Sequence, residues 1–130
     1  MIRVDDFAKT TTHGFSQDET GEAQVIIKKM TQAGYYALAE ESKKTTLKFD
    51  NVQDGRYAQE QDFNIEHFRT MECYVTFEEA TGITDNGNPL FRRGMSKEDF
   101  FTAFGRLPKS VTREWMNAVR EFNPELRPNG

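Results

Sequence analysis

The last fifty residues constrain the fold most, because they contain a series of start and stop signals for local structure. The Asn-Gly pair in Asp85–Pro89 supplies the positive φ values of a tight turn, and the proline prevents a helix from starting there. Ser96 predicts the start of a helix and Gly105 its end. Leu107-Pro108 opens a last helix that Asn123-Pro124 closes. The chain is therefore predicted to end in a tight turn and a pair of helices.

Both C-terminal helices have an apolar face. The first presents Phe100, Ala103 and Phe104, and the second presents a stripe at helical spacing made of Val111, Trp115, Ala118, Val119 and Phe122. Phe101 is offset by about 100° from Phe100, so it is a candidate for outward contact. The stripe around Trp115 is either core or part of a groove for another helix.

Two interpretations remain open for residues 22–42. Ala23, Ile26, Ile27 and Met30 fall on one helical face, which favours a single long helix. The β-branched run from Val25 to Ile27 instead favours a strand, with Thr31 capping a shorter helix behind it.

The middle of the chain completes the prediction of fold class. Residues 45–49 have the composition of a short strand, and Asp50–Gly55 that of a loop with a turn at Asp54-Gly55. Residues 62–79 are predicted to be helical, with a stripe of Ile65, Phe68, Met71 and Val75. The expected fold is a mainly α (α+β) domain, with a two-stranded β element at residues 24–29 and 44–49 and the C-terminal helical pair.

The predicted domain organisation is simple. Residues 1–20 are polar and form a flexible N-terminal arm, in which Phe7 and Phe15 either anchor a partner or fold back onto the core. Residues 21–124 form one globular domain, and residues 125–130 form a tail. A chain of 130 residues is long enough for one such core without metals or disulfides.

Charge and composition exclude several classes of function. The net charge of −4 argues against nucleic acid as a partner, because binding phosphates needs a concentrated positive field. The single cysteine, Cys73, excludes an internal disulfide and fits a reducing compartment. The N-terminal residues lack the apolar segment of a signal peptide, and no apolar run has the length of a membrane span. A location in the cytoplasm is expected.

The sequence offers little catalytic chemistry. His67 precedes Cys73 by six residues, which places the two side chains out of phase on one helix, so no nucleophile and base are predicted. Asp85–Asn88 lacks the alternating ligands and closing glutamate of a calcium loop, and no zinc or phosphate-binding motif occurs. No catalytic, cofactor or metal residue is predicted. The basic pair Arg92-Arg93 is a candidate contact on the rim of a surface.

The layout of the chain resembles that of small tail-assembly chaperones of long-tailed bacteriophages. The similarity covers residues 22–124: residues 25–31 before a short helix, a helix leading into residues 81–91, a Ser-capped helix, and Leu107-Pro108 before a last helix that ends at residues 122–124. It departs from the family at Ala80-Thr81, where the family often has tryptophan before the glycine. The N-terminal arm has no counterpart.

The resemblance implies a non-enzymatic role in the cytoplasm of a bacterial host. Such proteins hold the tape measure protein in solution and help recruit tail-tube subunits, and self-association into a homo-oligomer stays open. The predicted partner-binding residues are Phe7, Phe15, Arg92, Arg93, Phe101, Trp115 and Phe122. The alternatives are a permanent virion subunit, such as a connector or tail protein, and a small acidic inhibitor of a host protein.

Overall fold

The structure, a computed structural model, describes residues 1–3, 9–49 and 54–126, and only the backbone of residues 42–49 and 54–64. The described residues form five strands, four α-helices and a short 3-10 helix. In chain order these are β1 Thr10–Gly14, β2 Gln24–Lys28, α1 Gln32–Phe49, α2 Asp54–Val75, β3 Phe77–Thr81, β4 Thr84–Asp85, β5 Asn88–Pro89, α3 Lys97–Phe104, α4 Lys109–Phe122 and the 3-10 helix Pro124–Leu126. This is an α+β fold with two small antiparallel sheets, so the predicted mainly α class was wrong.

The larger sheet has the strand order β1-β2-β3, and both pairings are antiparallel. The central strand β2 turns Val25 and Ile27 into the core, where neither side chain is exposed. Its pairing with β3 shifts register between Ile26 and Ile27. A strand was predicted at residues 24–29, and Gln24–Lys28 confirms it.

The predicted second strand at residues 44–49 was wrong, because these residues form the last part of α1. The threonine pair at residues 45–46 suggested a strand, which was expected to pair with the strand predicted at residues 24–29. Both edges of β2 are already occupied, one by β1 and the other by β3. Tertiary pairing therefore overrides the local preference of residues 45–49.

The two interpretations of residues 22–42 are resolved in favour of a strand followed by a helix. The hydroxyl of Thr31 accepts a hydrogen bond from the backbone N–H of Gly34 at 3.2 Å and caps the start of α1. A Cβ atom at Gly34 would lie 2.6 Å from the sulfur of Met30 and 3.6 Å from Cβ of Val75. The missing side chain at Gly34 therefore leaves room for the side chain of Met30 against the start of α1, while the contact with Val75 of α2 would be an ordinary one.

The second helix begins and ends earlier than predicted. Asp54 and Gly55 belong to α2 and are not a turn, and the helix ends at Val75 where residue 79 was expected. Thr76 makes the junction: its hydroxyl donates to the carbonyl of Glu72 at 2.7 Å, and its own carbonyl accepts from the N–H of Lys28 at 2.8 Å. These bonds direct the chain from α2 straight into β3. The rest of the predicted loop, residues 50–53, lies outside the described residues.

The C-terminal signals are confirmed. Asn86 and Gly87 have φ values of 51° and 82° and connect β4 to β5 in a tight hairpin. The hydroxyl of Ser96 accepts a hydrogen bond from the N–H of Asp99 at 3.1 Å and caps α3. Asn123 follows the last residue of α4, as its position before proline predicts.

An aromatic cluster occupies the centre of the core. Trp115 is fully buried, and five phenylalanine rings lie with their centroids 5.1–6.1 Å from its ring. These are Phe15, Phe77, Phe91, Phe100 and Phe104. Ring pairs at these separations add to the stability that burial of the rings provides. Phe15 follows β1, so the segment predicted as an arm contributes both a strand and a core residue.

Candidate functional site

An open apolar groove, here called the helix groove, lies where α1, α2 and α4 meet. It has a volume of about 540 Å³. Its lining consists of Tyr35, Leu38 and Ala39 from α1, Ile65, Phe68 and Glu72 from α2, and Arg120 from α4. Five of these seven residues are apolar or aromatic, and the other two, Glu72 and Arg120, form a charged pair in the lining.

The groove exists because the apolar stripe of α2 extends beyond the core. Met71 is only 4% exposed, whereas Ile65, six residues earlier, is 52% exposed. Sequence spacing predicted both residues on one apolar face of the helix, and of the two only Met71 is buried. The prediction missed the groove because its walls come from α1 and α4, which are distant in sequence.

The charged part of the groove lining is an ion pair between Glu72 of α2 and Arg120 of α4. Arg120 donates from Nε and Nη2 to the two carboxylate oxygens of Glu72 at 2.9 and 3.1 Å. Glu72 is buried, so this bidentate pairing compensates a charge that burial would otherwise penalise. Burial raises the pKa of Tyr35, and the charges of Glu125 and Glu72 raise it further. Both effects favour the neutral hydroxyl of Tyr35 over its charged form.

A second concavity of about 500 Å³ lies beside the start of α1. Charged side chains contribute to its lining, among them Lys28, Glu78 and Arg93, next to small residues such as Gly34. The guanidinium of Arg93 already pairs with Glu78 at 2.9 Å and with Glu79 at 3.0 Å. This cleft therefore lacks the continuous apolar surface of the helix groove.

The structure does not gather the predicted partner-binding residues into one surface. Phe15 and Trp115 touch each other inside the aromatic cluster, with ring centroids 5.8 Å apart. Both are buried, which matches the alternative that Phe15 folds back onto the core. Phe7 lies outside the described residues.

The other predicted partner residues lie on separate parts of the surface. Arg92 is exposed and pairs with Asp99 at 3.0 Å, while Arg93 binds carboxylates of β3. Phe101 is half-buried against the ring of His67, with centroids 5.0 Å apart. Phe122 is half-buried under the ammonium of Lys29, which lies 4.1 Å from the ring centroid. None of the four lines the helix groove.

Cys73 and His67 have different surroundings. Burial raises the pKa of the Cys73 thiol well above its usual range, and the charge of Glu72 acts in the same direction. The side chain is fully buried, so the thiol is both protonated and shielded. His67 bonds through Nε2 to a carboxylate oxygen of Glu41 at 2.9 Å.

A serine, a histidine and a glutamate meet at the junction of β1 and α4. The Nε2 atom of His13 lies 2.7 Å from a carboxylate oxygen of Glu114, and the hydroxyl of Ser16 donates to the other oxygen. Burial raises the pKa of Glu114, but the hydrogen bonds from Ser16 and His13 outweigh it and lower the pKa overall. Serine and histidine share the carboxylate here, whereas a nucleophile and its base bond to each other. This cluster attaches the N-terminal strand to the last helix.

Within the part of the chain that the structure describes, no group of three or more histidine, cysteine, aspartate or glutamate side chains could hold a metal ion. No helix among these residues has the length and apolar character needed to cross a membrane.

Comparisons with protein-family models, with curated proteins and with solved structures found no match to this chain. Neither a family nor a known fold is therefore assigned. The groove, its charges and the layout of the sequence remain the basis for a functional proposal.

Proposed function

We propose that this chain is a non-enzymatic assembly chaperone of long-tailed bacteriophages, which acts in the cytoplasm of the bacterial host. It holds an amphipathic helix of the tape measure protein in the helix groove and helps recruit tail-tube subunits. The support is a resemblance in sequence layout together with a groove whose apolar lining is open to solvent. Binding of an amphipathic helix in an apolar groove is a common mode of recognition between proteins.

The single observation that carries this proposal is the exposure of Ile65 beside half-buried Phe68 and Leu38. Contiguous apolar surface in water is unfavourable by roughly 25 cal/mol per Å², and a partner helix would remove that cost. The groove also suits reversible binding, because it is open to solvent where α1, α2 and α4 meet and is not an enclosed cavity.

The structure gives no specific support to the inhibitor alternative, since an acidic mimic of nucleic acid needs a continuous field of unpaired carboxylates. Described carboxylates on five different elements are paired with cations: Glu41, Glu72, Glu79, Asp85 and Asp99.

Co-expression with the tape measure protein of the same phage tests the proposal. Ile65→Glu places a charge in the groove, and we expect retention of soluble tape measure protein to fall roughly tenfold, as a loss of 1.4 kcal/mol in binding predicts. Ile2→Glu is the matched control, because Ile2 is 83% exposed and lies outside the groove.

Equal retention by the Ile65→Glu variant and the wild type would contradict the proposal, as would the absence of any complex with the wild type. Proteomics of purified phage particles distinguishes a chaperone from a permanent virion subunit. We expect a chaperone to be missing from finished particles, whereas a permanent subunit is present in stoichiometric amount.

A further inference from the structure

Strand β1 forms an open edge of the larger sheet. Strand β2 pairs with one side of β1, and no described strand pairs with its other side. The N–H of Phe15 donates to the carbonyl of Ala23 at 3.2 Å. At the other end of the strand, the carbonyl of Lys9 accepts from the N–H of Lys29 at 3.1 Å. Because backbone groups alternate in direction along an antiparallel strand, odd-numbered residues of β1 bond to β2 and the even-numbered ones point to the open side. The even-numbered residues are Thr10, Thr12 and Gly14.

The open edge lacks the features that usually protect a sheet edge. Natural edge strands avoid association through charged side chains, proline or bulges. The sequence of Thr10–Gly14 is Thr-Thr-Thr-His-Gly, without lysine, arginine, aspartate, glutamate or proline, and its pairing with β2 keeps one register. Its even-numbered residues are exposed, so the outward backbone groups are open to water. An extended polypeptide segment has the backbone spacing to bond to all of them.

A hollow of about 200 Å³, here called the edge hollow, lies between β1 and α4. Its lining consists of Thr11, Thr12 and His13 from β1 and Ala118, Glu121 and Phe122 from α4. No residue of β2 belongs to this lining, which places the hollow on the open side of β1. Successive side chains of a strand point to opposite faces. A strand added to β1 would therefore direct every second side chain toward α4 and into the edge hollow.

The charges in and around the edge hollow favour a basic occupant. His13 is already bonded to Glu114 of α4 at 2.7 Å. The ammonium of Lys29 is engaged by the carbonyl and the ring of Phe122. Glu121 is exposed in the lining and makes no ion pair within the described chain. A lysine or arginine of a partner would complement this carboxylate.

A second copy of this chain does not supply that charge. Pairing through the same edge would place Thr10–Gly14 of the copy beside β1, and this segment contains no lysine or arginine. Each Glu121 would then stay without a counter-charge from the added strand. The observations therefore favour a segment of a different protein as the occupant.

We propose that the open edge of β1 binds an extended segment of another protein as an additional antiparallel strand. The segment presents an apolar side chain to Ala118 and a lysine or arginine to Glu121. These two residues are three positions apart on α4, which separates their Cβ atoms by about 5–6 Å. Side chains on one face of a strand are about 7 Å apart, so the apolar and basic residues of the partner lie two positions apart. The edge hollow shares no lining residue with the helix groove, so this inference goes beyond the proposed function and does not depend on it.

Short fluorescent peptides test the inference on the full chain. The probe alternates threonines with residues that are to face α4, namely a valine and, two positions later, a lysine. Its twin has glutamate in place of the lysine. We expect fluorescence anisotropy at low salt to show about fivefold tighter binding of the lysine peptide, the effect of one exposed ion pair. Glu121→Lys should reverse this preference.

Methylation of backbone nitrogens tests the strand pairing itself. The outward-bonding residues of β1 have side chains that point away from α4, and paired residues of two strands lie on the same face. The threonines of the probe are therefore the residues that bond to β1. N-methylation of the threonines should weaken binding by roughly tenfold or more, whereas N-methylation of the valine and the lysine should leave it nearly unchanged.

Glu98→Lys is the matched control, because it changes the net charge equally at an exposed residue of α3 outside the edge hollow. An equal effect of Glu98→Lys and Glu121→Lys would overturn the inference, since it would reflect net charge alone. Equal affinity for the two peptides, equal weakening by both methylation patterns, or no binding would also overturn it.

Two further outcomes would assign the occupant differently and contradict the inference. Sedimentation that shows a dimer dissociated by the lysine peptide would mean that the edge holds a second copy. Loss of peptide binding in Ile65→Glu would place the peptide in the helix groove. Retention of the tape measure protein is measured separately, so either proposal can fail while the other stands.

Discussion

Glu41 shows how one carboxylate connects three helices. It lies on α1, is 7% exposed, and binds His67 of α2 at 2.9 Å and Lys97 of α3 at 2.8 Å. The hydrogen bond from Lys97, followed by that from His67, outweighs burial and lowers the pKa of Glu41 to about 2. The same contact raises the pKa of Lys97. The charged form of Glu41 therefore stabilises the folded state.

Replacing Glu41 by glutamine is expected to reduce the free energy of unfolding by about 2 kcal/mol at pH 7. The folded pKa of about 2 lies below the ordinary value of 4.5, so this stabilisation is complete above pH 4.5. It is lost as the pH falls from 4.5 toward 2. Urea unfolding followed by the fluorescence of Trp115, the single tryptophan, measures the difference at each pH.

Glu121→Gln is the control for this substitution, because Glu121 is exposed on α4 and should change stability little at any pH. A difference between wild type and Glu41→Gln that stays constant from pH 7 to pH 2.5 would contradict the assignment.

At the scale of single residues, the sequence predicts the burial of those side chains whose position depends on helical spacing. Trp115 and Phe100 lie on helical stripes and are buried as their spacing indicates. The role of Glu41 depends on partners 26 and 56 residues away, so no local pattern could indicate it. Ile65 lies on the apolar face of α2 at the helical spacing of a core residue. It is nevertheless exposed, because the positions of α1 and α4 leave it uncovered.

At the scale of elements, the sequence predicts turns and helix caps whose hydrogen bonds join residues close in the chain. It does not predict strands that form only by pairing with a distant strand. The Asn86-Gly87 turn and the Ser96 cap form through contacts of a few residues. Strand β1 has no alternating apolar pattern, and β3 continues the apolar and acidic pattern of the preceding helix. Both become strands because they pair with the edges of β2.

Gly82 offers a test of how closely these elements approach one another. It follows β3 with a φ of 73°, and a Cβ atom there would lie 2.2 Å from the backbone oxygen of Glu22. We expect Gly82→Ala to lower the free energy of unfolding by more than about 2 kcal/mol, since backbone must move and the conformation is unfavourable for alanine. Chemical denaturation monitored by circular dichroism measures this change.

The matched control is Gly87→Ala, because Gly87 has a similar φ of 82° but open space around it. Its cost should stay near 1 kcal/mol, the contribution of backbone conformation alone. Similar losses for the two variants would show that the contact with Glu22 does not matter.

At the scale of the whole molecule, Asn123 joins the C-terminal end of α4 to the segment between β2 and α1. It is fully buried after α4, accepts a hydrogen bond from the N–H of Met30 at 2.9 Å, and donates to the carbonyl of Lys28 at 3.3 Å. Its role as a helix stop could be predicted from the following proline. Its bonds to β2 and the residues behind it could not, since they cross more than ninety positions.

Asn123→Ala should therefore cost about 2–3 kcal/mol, because it removes a fully buried amide and leaves the half-buried N–H of Met30 and carbonyl of Lys28 without this partner. Thermal and urea unfolding measure this loss. Asn117→Ala is the comparison, since Asn117 is exposed and should change stability by less than about 1 kcal/mol. A loss at Asn123 no greater than that at Asn117 would disprove the linking role.

The junction at Thr76 bears on how the helix groove would bind the proposed partner helix. One buried, hydrogen-bonded residue separates α2 from β3, and the short segment before α1 is fastened to Asn123. Hydrogen bonds therefore hold both bases of the α1–α2 hairpin in place. We therefore expect the proposed partner helix to bind without a change at these two junctions, so that ordering them adds no cost in conformational entropy on association.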